Sequence, residues 1–171
     1  GYYMKKPIFF FIILLWPVLT QAQEKLILLP AKPQPGAAVT IRYNPKNTPL
    51  SGVKNFEGYV YLLEGDLPAV QALALKEENG QYVATFNTND TTKAFFISFA
   101  RDNIWDNNGY KGYYSAIYDK TGKPVQGANL ALAKGFGNYS GIWELTRNAD
   151  LALGFAKKEF TSPVSREKFY S

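Results

Sequence analysis

The residue types that could carry chemistry are concentrated between Asn103 and Tyr114, in the stretch NIWDNNGYKGYY. Its aromatic rings and side-chain amides suit a flat, hydroxylated ligand, because a ring can stack on one face while amides bond hydroxyls. The same residue types favour a tight turn, since Asn and Asp tolerate left-handed backbone and cap their own turns. Hard oxygen ligands that calcium prefers are also present, at Asp102, Asp106, Asn107 and Asn108. The turn is the preferred interpretation, and the two kinds of binding site stay open.

The chain contains neither histidine nor cysteine. This composition excludes catalytic triads that use His, Cys nucleophiles, CxxC redox pairs, disulfides and the usual zinc sites. The remaining carboxylates that could act as a catalytic pair have no spacing that fixes a shared pocket; they are Glu57, Glu64, Asp66, Glu77 and Glu78. We therefore expect no enzymatic activity and no cofactor, and we assign no metal site beyond the calcium interpretation that stays open above.

The charge pattern argues against a nucleic-acid partner. The formal net charge is +5, but Lys5 and Lys6 contribute two of the positive charges and lie in the segment that we interpret below as removed. The other Lys and Arg residues are scattered among acidic residues and form no basic run.

The first 22 residues have the pattern of a secretory signal peptide, with Gly1–Tyr3 as extra residues upstream of Met4. A basic pair is followed by an apolar run from Ile8 to Leu19 and by small or polar residues around Ala22. This run is shorter than the roughly 20 residues that a membrane-spanning helix needs. We expect cleavage near Ala22, a periplasmic or secreted mature chain, and contact with the membrane only through the transient signal peptide.

Residues 23–126 alternate between short strand-like runs and strong turn signals. The pattern is clearest in AVTIRYN, where Val39, Ile41 and Tyr43 should face a core and Thr40 and Arg42 should face solvent. About seven such strands, with turns every eight to twelve residues or so, predict an all-β fold: an antiparallel β-sandwich of immunoglobulin-like type. Asn79-Gly80 predicts a two-residue hairpin turn that pairs residues 70–78 with residues 81–88.

Residues 127–171 are interpreted as a Gly-rich connection followed by a short amphipathic helix. The helix should start at Asn148 or Asp150 and end before Pro163. Helical spacing places Leu151 and Phe155 on one face, and the same face is predicted to include Ala152, Ala156 and Phe160.

Three segments carry a resemblance to a known family: LLPAKPQPGAAVTIRYNPKNTPLSG, YDKTGKPVQGANLALA and NADLALGFAKKEF. Across about 25–160 the chain resembles the N-terminal immunoglobulin-like region of large secreted thioredoxin-family proteins of Gram-negative envelopes. The resemblance implies a sandwich, a short helical segment and a later thioredoxin-like domain with redox cysteines. Without Cys, no redox activity can be carried over, so the chain is interpreted as a truncated reading frame or a stand-alone accessory module.

A second resemblance covers FISFARDNIWDNNGYKGYY, which is similar to a segment of starch-binding immunoglobulin-like modules. The resemblance implies that Trp105 stacks on a glucose ring and that Tyr110 forms a second platform. Asp106, Asn107 and Asn108 would then contact the hydroxyls.

Together these features predict a non-catalytic, exported interaction or spacer module, the N-terminal part of a larger envelope protein of thioredoxin-family architecture. Its partners would be downstream domains of the same protein or another envelope protein, bound through an exposed sheet edge by strand addition. The alternative is a module that binds an α-glucan polysaccharide through Trp105 and Tyr110.

Overall fold

The computed structural model describes residue 1 and residues 24–138 and 148–161. Almost all of the predicted signal peptide, residues 2–22, therefore lies outside the described residues, as do parts of the predicted C-terminal region.

Two antiparallel sheets form a β-sandwich, as the sequence predicted. The strands are β1 (Leu26–Leu29), β2 (Ala38–Tyr43), β3 (Glu57–Leu63), β4 (Ala69–Leu73), β5 (Lys76–Glu78), β6 (Gln81–Asn87), β7 (Ala94–Arg101), β8 (Ile104–Asp106) and β9 (Tyr113–Ala116). One sheet has the order β1-β2-β6-β5; the other has β4-β3-β7, with β8 and β9 both paired to β7. This arrangement corresponds to the A-B-E-D and C′-C-F-G sheets of immunoglobulin-like sandwiches, with the last strand divided.

The described residues contain nine strands, more than the predicted seven or so, because the predicted strand 70–78 is divided into β4 and β5 and because β8 lies in the stretch that was interpreted as a turn. The predicted strand 70–78 was wrong as a single element: β4 pairs with β3 in one sheet, and β5 pairs with β6 in the other. Leu73 is buried and Leu75 packs against the same core, so the chain crosses between the sheets at this point. The Asn79-Gly80 turn itself is confirmed, with positive φ at both residues and Glu78 opposite Gln81.

The core between the sheets follows the predicted alternation in β2. Val39, Ile41 and Tyr43 are 0% exposed, and the ring of Tyr43 stacks on that of Phe99 in β7 with centroids 3.7 Å apart. On the outer face, Thr40 bonds Thr85. The stack joins the two sheets, since β2 and β7 belong to different ones.

Strand β7 is buried on both faces. Phe95, Ile97 and Phe99 face the core between the sheets, whereas Ala94 and Phe96 face a second apolar cluster formed with two helices. These are α1 (Ala128–Gly137) and α2 (Ala149–Thr161). The structure therefore has three layers: a sheet, a second sheet, and a pair of helices on the outer face of the second sheet.

Helix α1 corrects the prediction of a Gly-rich connection after residue 126. Its first turn has no acidic residue and no cap from its own side chains. Instead, the backbone N–H of Gly127 donates a 2.7 Å hydrogen bond to the carboxylate of Glu159 in α2. A Cβ at Gly137 would lie 3.6 Å from that of Ala152, so this glycine lets the helices approach closely.

Helix α2 begins as predicted, because the side chain of Asn148 accepts a hydrogen bond from the backbone of Leu151. Phe155 is buried, and its ring is parallel to that of Phe136 in α1. Phe160, which was assigned to the same face, is 53% exposed, so that part of the prediction was wrong. Within the described residues, neither helix has the length and apolar content needed to cross a membrane.

Candidate functional site

The Trp-Asp-Asn-Asn stretch lies at one end of the sandwich, where β8 gives way to a loop that leads into β9. Both strands pair with β7, β8 against Phe99–Arg101 and β9 against Ala94–Ile97. Trp105 stands opposite Ala100, and Asp106 stands opposite Phe99. Successive residues of a strand point to opposite faces, so Asp106 enters the core between the sheets and Trp105 lies on the other face.

Asp106 is 1% exposed, and its carboxylate is bonded inside the protein. One oxygen accepts hydrogen bonds from the phenols of Tyr43, at 2.5 Å, and Tyr113, at 3.0 Å. The other oxygen accepts a 3.0 Å bond from the backbone of Asn108. Burial, together with the neighbouring carboxylate, raises the pKa of Tyr43 and of Tyr113, so both phenols stay protonated as donors.

The two asparagines form the turn. The side-chain oxygen of Asn107, a residue 4% exposed, accepts a 2.9 Å bond from the backbone of Tyr110. The side-chain amide of Asn108 donates to the carbonyl of Gly112 at 3.2 Å. The polar residues that would contact hydroxyls under the second resemblance therefore form hydrogen bonds within the protein in this structure. These residues are Asp106, Asn107 and Asn108.

The backbone of this loop is held in an uncommon conformation. Asn108, Gly109, Tyr110 and Gly112 have φ values of 61°, 61°, 65° and 85°. Positive φ is unfavourable for a bulky residue such as Tyr, at a cost of roughly 1–3 kcal/mol. Tyr110 is nevertheless 65% exposed. The loop therefore presents an aromatic ring to solvent on a strained backbone.

A cavity of about 410 Å³ lies beside that ring. Its walls include the two aromatic residues Trp105 and Tyr110, together with Asn103 and Lys25. Two rings with a neighbouring amide and ammonium group can accommodate a flat, polar ligand. Among the predicted site residues, the structure brings Trp105 and Tyr110 together here, and Asp106 and Asn107 also line the cavity.

The calcium interpretation is not supported by the geometry. The side chain of Asp102 is 86% exposed, and its carboxylate lies 3.7 Å from Nε of Arg101. Asp106 is buried and accepts hydrogen bonds from the phenols of Tyr43 and Tyr113. Across residues 24–138 and 148–161, no group of three or more acidic, His or Cys residues could hold a metal ion.

A larger cavity, of about 1060 Å³, lies elsewhere, between the turn after β9 and the two helices. Its lining includes the carboxylates of Asp119 and Glu159. Asp119 accepts bonds from Thr121 and Lys123 within its own turn, which lowers its pKa, and Glu159 caps α1. We therefore place the candidate site at the loop and the sheet edges, not in this larger space.

The edge strand β4 is a surface that the sequence reasoning did not single out. Val70 is 55% exposed at this edge, and Leu67, just before the strand, is 73% exposed. The signal in the sequence was the run LPAVQALAL, residues 67–75, which has no charged residue. The sequence predicts a single strand, 70–78, that joins residues 70–75 of this run to the residues of β5. The roles of Tyr43 and Tyr113 were also missed, since nothing local links Tyr43 to Asp106.

Comparison with models of known protein families finds no match for this chain, and comparison with curated proteins finds none either. The two resemblances therefore rest on their quoted motifs and stay predictions.

Proposed function

We propose that the chain is a non-catalytic, exported interaction or spacer module, the N-terminal part of an envelope protein of thioredoxin-family architecture. The observation that carries this proposal is the β4 edge. This edge is uncharged and exposed. By contrast, the loop residues best suited to chemistry, Asp106 and Asn107, form hydrogen bonds within the protein. An open strand edge binds an extended segment of another chain through backbone hydrogen bonds.

Site-specific photocrosslinking in the producing cell tests this function. A benzophenone amino acid replaces Leu67 beside β4 or, as the comparison, Tyr110 on the loop; both are strongly exposed. We expect a cross-linked protein adduct from position 67 and none from position 110. Sequencing of the cross-linked peptide identifies the partner as a downstream domain or another envelope protein. No adduct from position 67 would contradict the proposal.

Export and architecture have their own tests. N-terminal sequencing of the product should start near Gln23, and a product that retains Met4 would contradict cleavage.

Reading the gene beyond the codon for Ser171 should reveal a helical region and a domain with a CxxC pair. A stop codon directly after Ser171 would contradict the thioredoxin-family architecture.

The alternative is an α-glucan-binding module, favoured by one specific observation: Trp105 and the strained, exposed Tyr110 line the same 410 Å³ cavity. In this alternative the rings stack on glucose units, while Asn103 and Lys25 bond hydroxyls.

Titration with maltoheptaose tests the alternative through Trp fluorescence. Saturable quenching that is lost in both Trp105→Ala and Tyr110→Ala, but kept in Thr85→Ala, would support it. Thr85 is a suitable control because it lies on the exposed face of the other sheet. No change in fluorescence at millimolar ligand would contradict it.

A further inference from the structure

The cavity of about 1060 Å³ between the turn after β9 and the helices is large enough for a small molecule. Sites for drug-sized ligands have volumes of about 300–1,000 Å³ and mainly apolar walls. All three layers contribute to this lining, the first sheet through Leu28, the second through Tyr114, and the helices through Leu132 and Phe155. Tyr118 adds a third aromatic ring. The cavity therefore offers a flat, apolar ligand several rings to contact.

Lysines supply most of the charge that solvent reaches at this cavity. Lys123 and Lys158 line it, and both are exposed. Lys32 lies beside it: its ammonium group donates a 3.3 Å hydrogen bond to the carbonyl of Gly122 and lies 5.6 Å from the ring centroid of Tyr118. Neither Lys32 nor Lys158 forms an ion pair with a residue that the structure describes. Their charges are therefore available to a ligand.

The two carboxylates of the lining are engaged in the fold. Glu159 is 7% exposed and accepts the hydrogen bond from Gly127 at the start of α1. Asp119 is exposed, but it accepts hydrogen bonds from Thr121 and from the backbone of Lys123 within its own turn. Around the cavity, three lysines thus outnumber one exposed carboxylate, which favours a ligand with negative charge.

Two hydrogen-bond donors lie on the helical wall of the cavity. Nζ of Lys158 lies 5.2 Å from the ring centroid of Phe155, which keeps the ammonium group beside the apolar surface. Asn129 of α1 lines the same cavity, and its side-chain amide bonds none of the residues that the structure describes. A carboxylate accepts hydrogen bonds from both kinds of group, the ammonium and the amide N–H.

We propose that this cavity binds a small aromatic carboxylate. The ring of the ligand packs among the three aromatic side chains of the lining, where it loses contact with water. Its carboxylate accepts hydrogen bonds from Lys158 and Asn129. The cavity is distinct from the β4 edge and from the space beside the Trp-Asp-Asn-Asn loop, so this inference goes beyond the proposed function.

Isothermal titration calorimetry of the mature exported protein tests the site with two probes that share a naphthalene ring. Naphthoate carries a negative charge, and naphthylmethylammonium carries a positive one. We expect naphthoate to bind with a Kd between about 10 µM and about 1 mM, and the cation to bind at least about 10-fold more weakly. Equal affinities for the two probes, or no saturable binding of naphthoate up to about 5 mM, would overturn the proposal.

Two pairs of matched variants test whether naphthoate occupies this cavity. Lys158→Gln should weaken its binding about 3-fold to 10-fold, whereas Lys157→Gln, at the neighbouring exposed lysine outside the lining, should change the Kd less than about 2-fold. Ala31→Phe fills the cavity from an exposed position in its lining and should remove binding. Ala38→Phe, at an exposed alanine that starts β2, should leave binding unchanged. Equal Kd values for the two lysine variants, or unchanged binding in Ala31→Phe, would overturn the proposal.

Discussion

The phenol of Tyr43 donates a 2.5 Å hydrogen bond to the carboxylate of Asp106, a residue 63 positions later in the chain. Tyr43 ends β2 in one sheet, and Asp106 ends β8 in the other. The bond therefore crosses the sandwich and anchors the Trp-Asp-Asn-Asn loop to the core. A buried carboxylate requires such donors, because it has lost its contact with water.

We expect Tyr43→Phe to lower the free energy of unfolding by about 1–3 kcal/mol, since the buried carboxylate of Asp106 loses a donor. Denaturant unfolding of the mature protein measures the change. Tyr59→Phe is the matched control, because its phenol also bonds a carboxylate, that of Glu57, but at an exposed site. Equal stability of the two variants would show that the buried bond contributes nothing.

Stability should fall at alkaline pH. Burial first, with the bond to Asp106, raises the pKa of Tyr43 above its ordinary value, and burial with the charge of Asp106 does the same for Tyr113. Their contribution to the free energy of unfolding is complete below about pH 10, where tyrosine in the unfolded chain ionises. It is lost as the pH rises towards the pKa that each tyrosine has in the folded state.

The expected slope is about 1.4 kcal/mol per pH unit for each of these tyrosines, once the unfolded chain has ionised. Urea unfolding between about pH 8 and pH 11 measures it. Tyr113→Phe should show a shallower decline than the wild type. A wild-type stability that does not change over this range contradicts the role of the two phenols.

Glu159→Ala should destabilise the helical layer by about 1–2 kcal/mol, because the backbone N–H of Gly127 loses its acceptor at the start of α1. Glu159→Gln, which keeps an acceptor oxygen, should have a smaller effect. Lys157→Ala is the control on the exposed side of the same helix. Circular dichroism during thermal unfolding provides the readout; if Glu159→Ala and Lys157→Ala unfold alike, the capping role is wrong.

Gly58→Ala should cost about 1–3 kcal/mol through overpacking. A Cβ at this position would lie 3.1 Å from Phe99 and 3.2 Å from both Leu73 and Leu75. Gly65→Ala is the comparison, because nothing lies within 4 Å of a Cβ there. Denaturant midpoints of the two variants decide the question, and a Gly58→Ala midpoint at or above that of Gly65→Ala would refute the close packing.

The sandwich was predictable from the sequence where one face of a strand meets water. The alternation of β2 indicates which residues are buried, and Asn79-Gly80 indicates the hairpin, since both signals are local. The helical layer was harder to predict. Gly135 and Gly137 lowered the expectation of a helix, yet α1 is stabilised by contacts with α2 that the local sequence does not contain. The apolar run Ala94–Ile97 at the start of β7, with no polar residue in alternation, was the available sign that its second face is also covered.

The candidate site was predictable in position but not in role. Residue types located the loop at Trp105–Tyr110, and a turn was the preferred interpretation. They could not show that Asp106 bonds Tyr43, because that contact depends on how the two sheets pack. The β4 edge was hidden for a similar reason, since only the crossing at Leu73–Leu75 separates it from β5.

We expect the partner contact at the β4 edge and not at the aromatic loop. The most direct measurement is the yield of the position-67 cross-linked adduct in chains that also carry Val70→Lys or Trp105→Ala, compared at equal expression. We predict that Val70→Lys removes the adduct and that Trp105→Ala leaves it at the wild-type level. An adduct that survives Val70→Lys but disappears in Trp105→Ala would contradict the account.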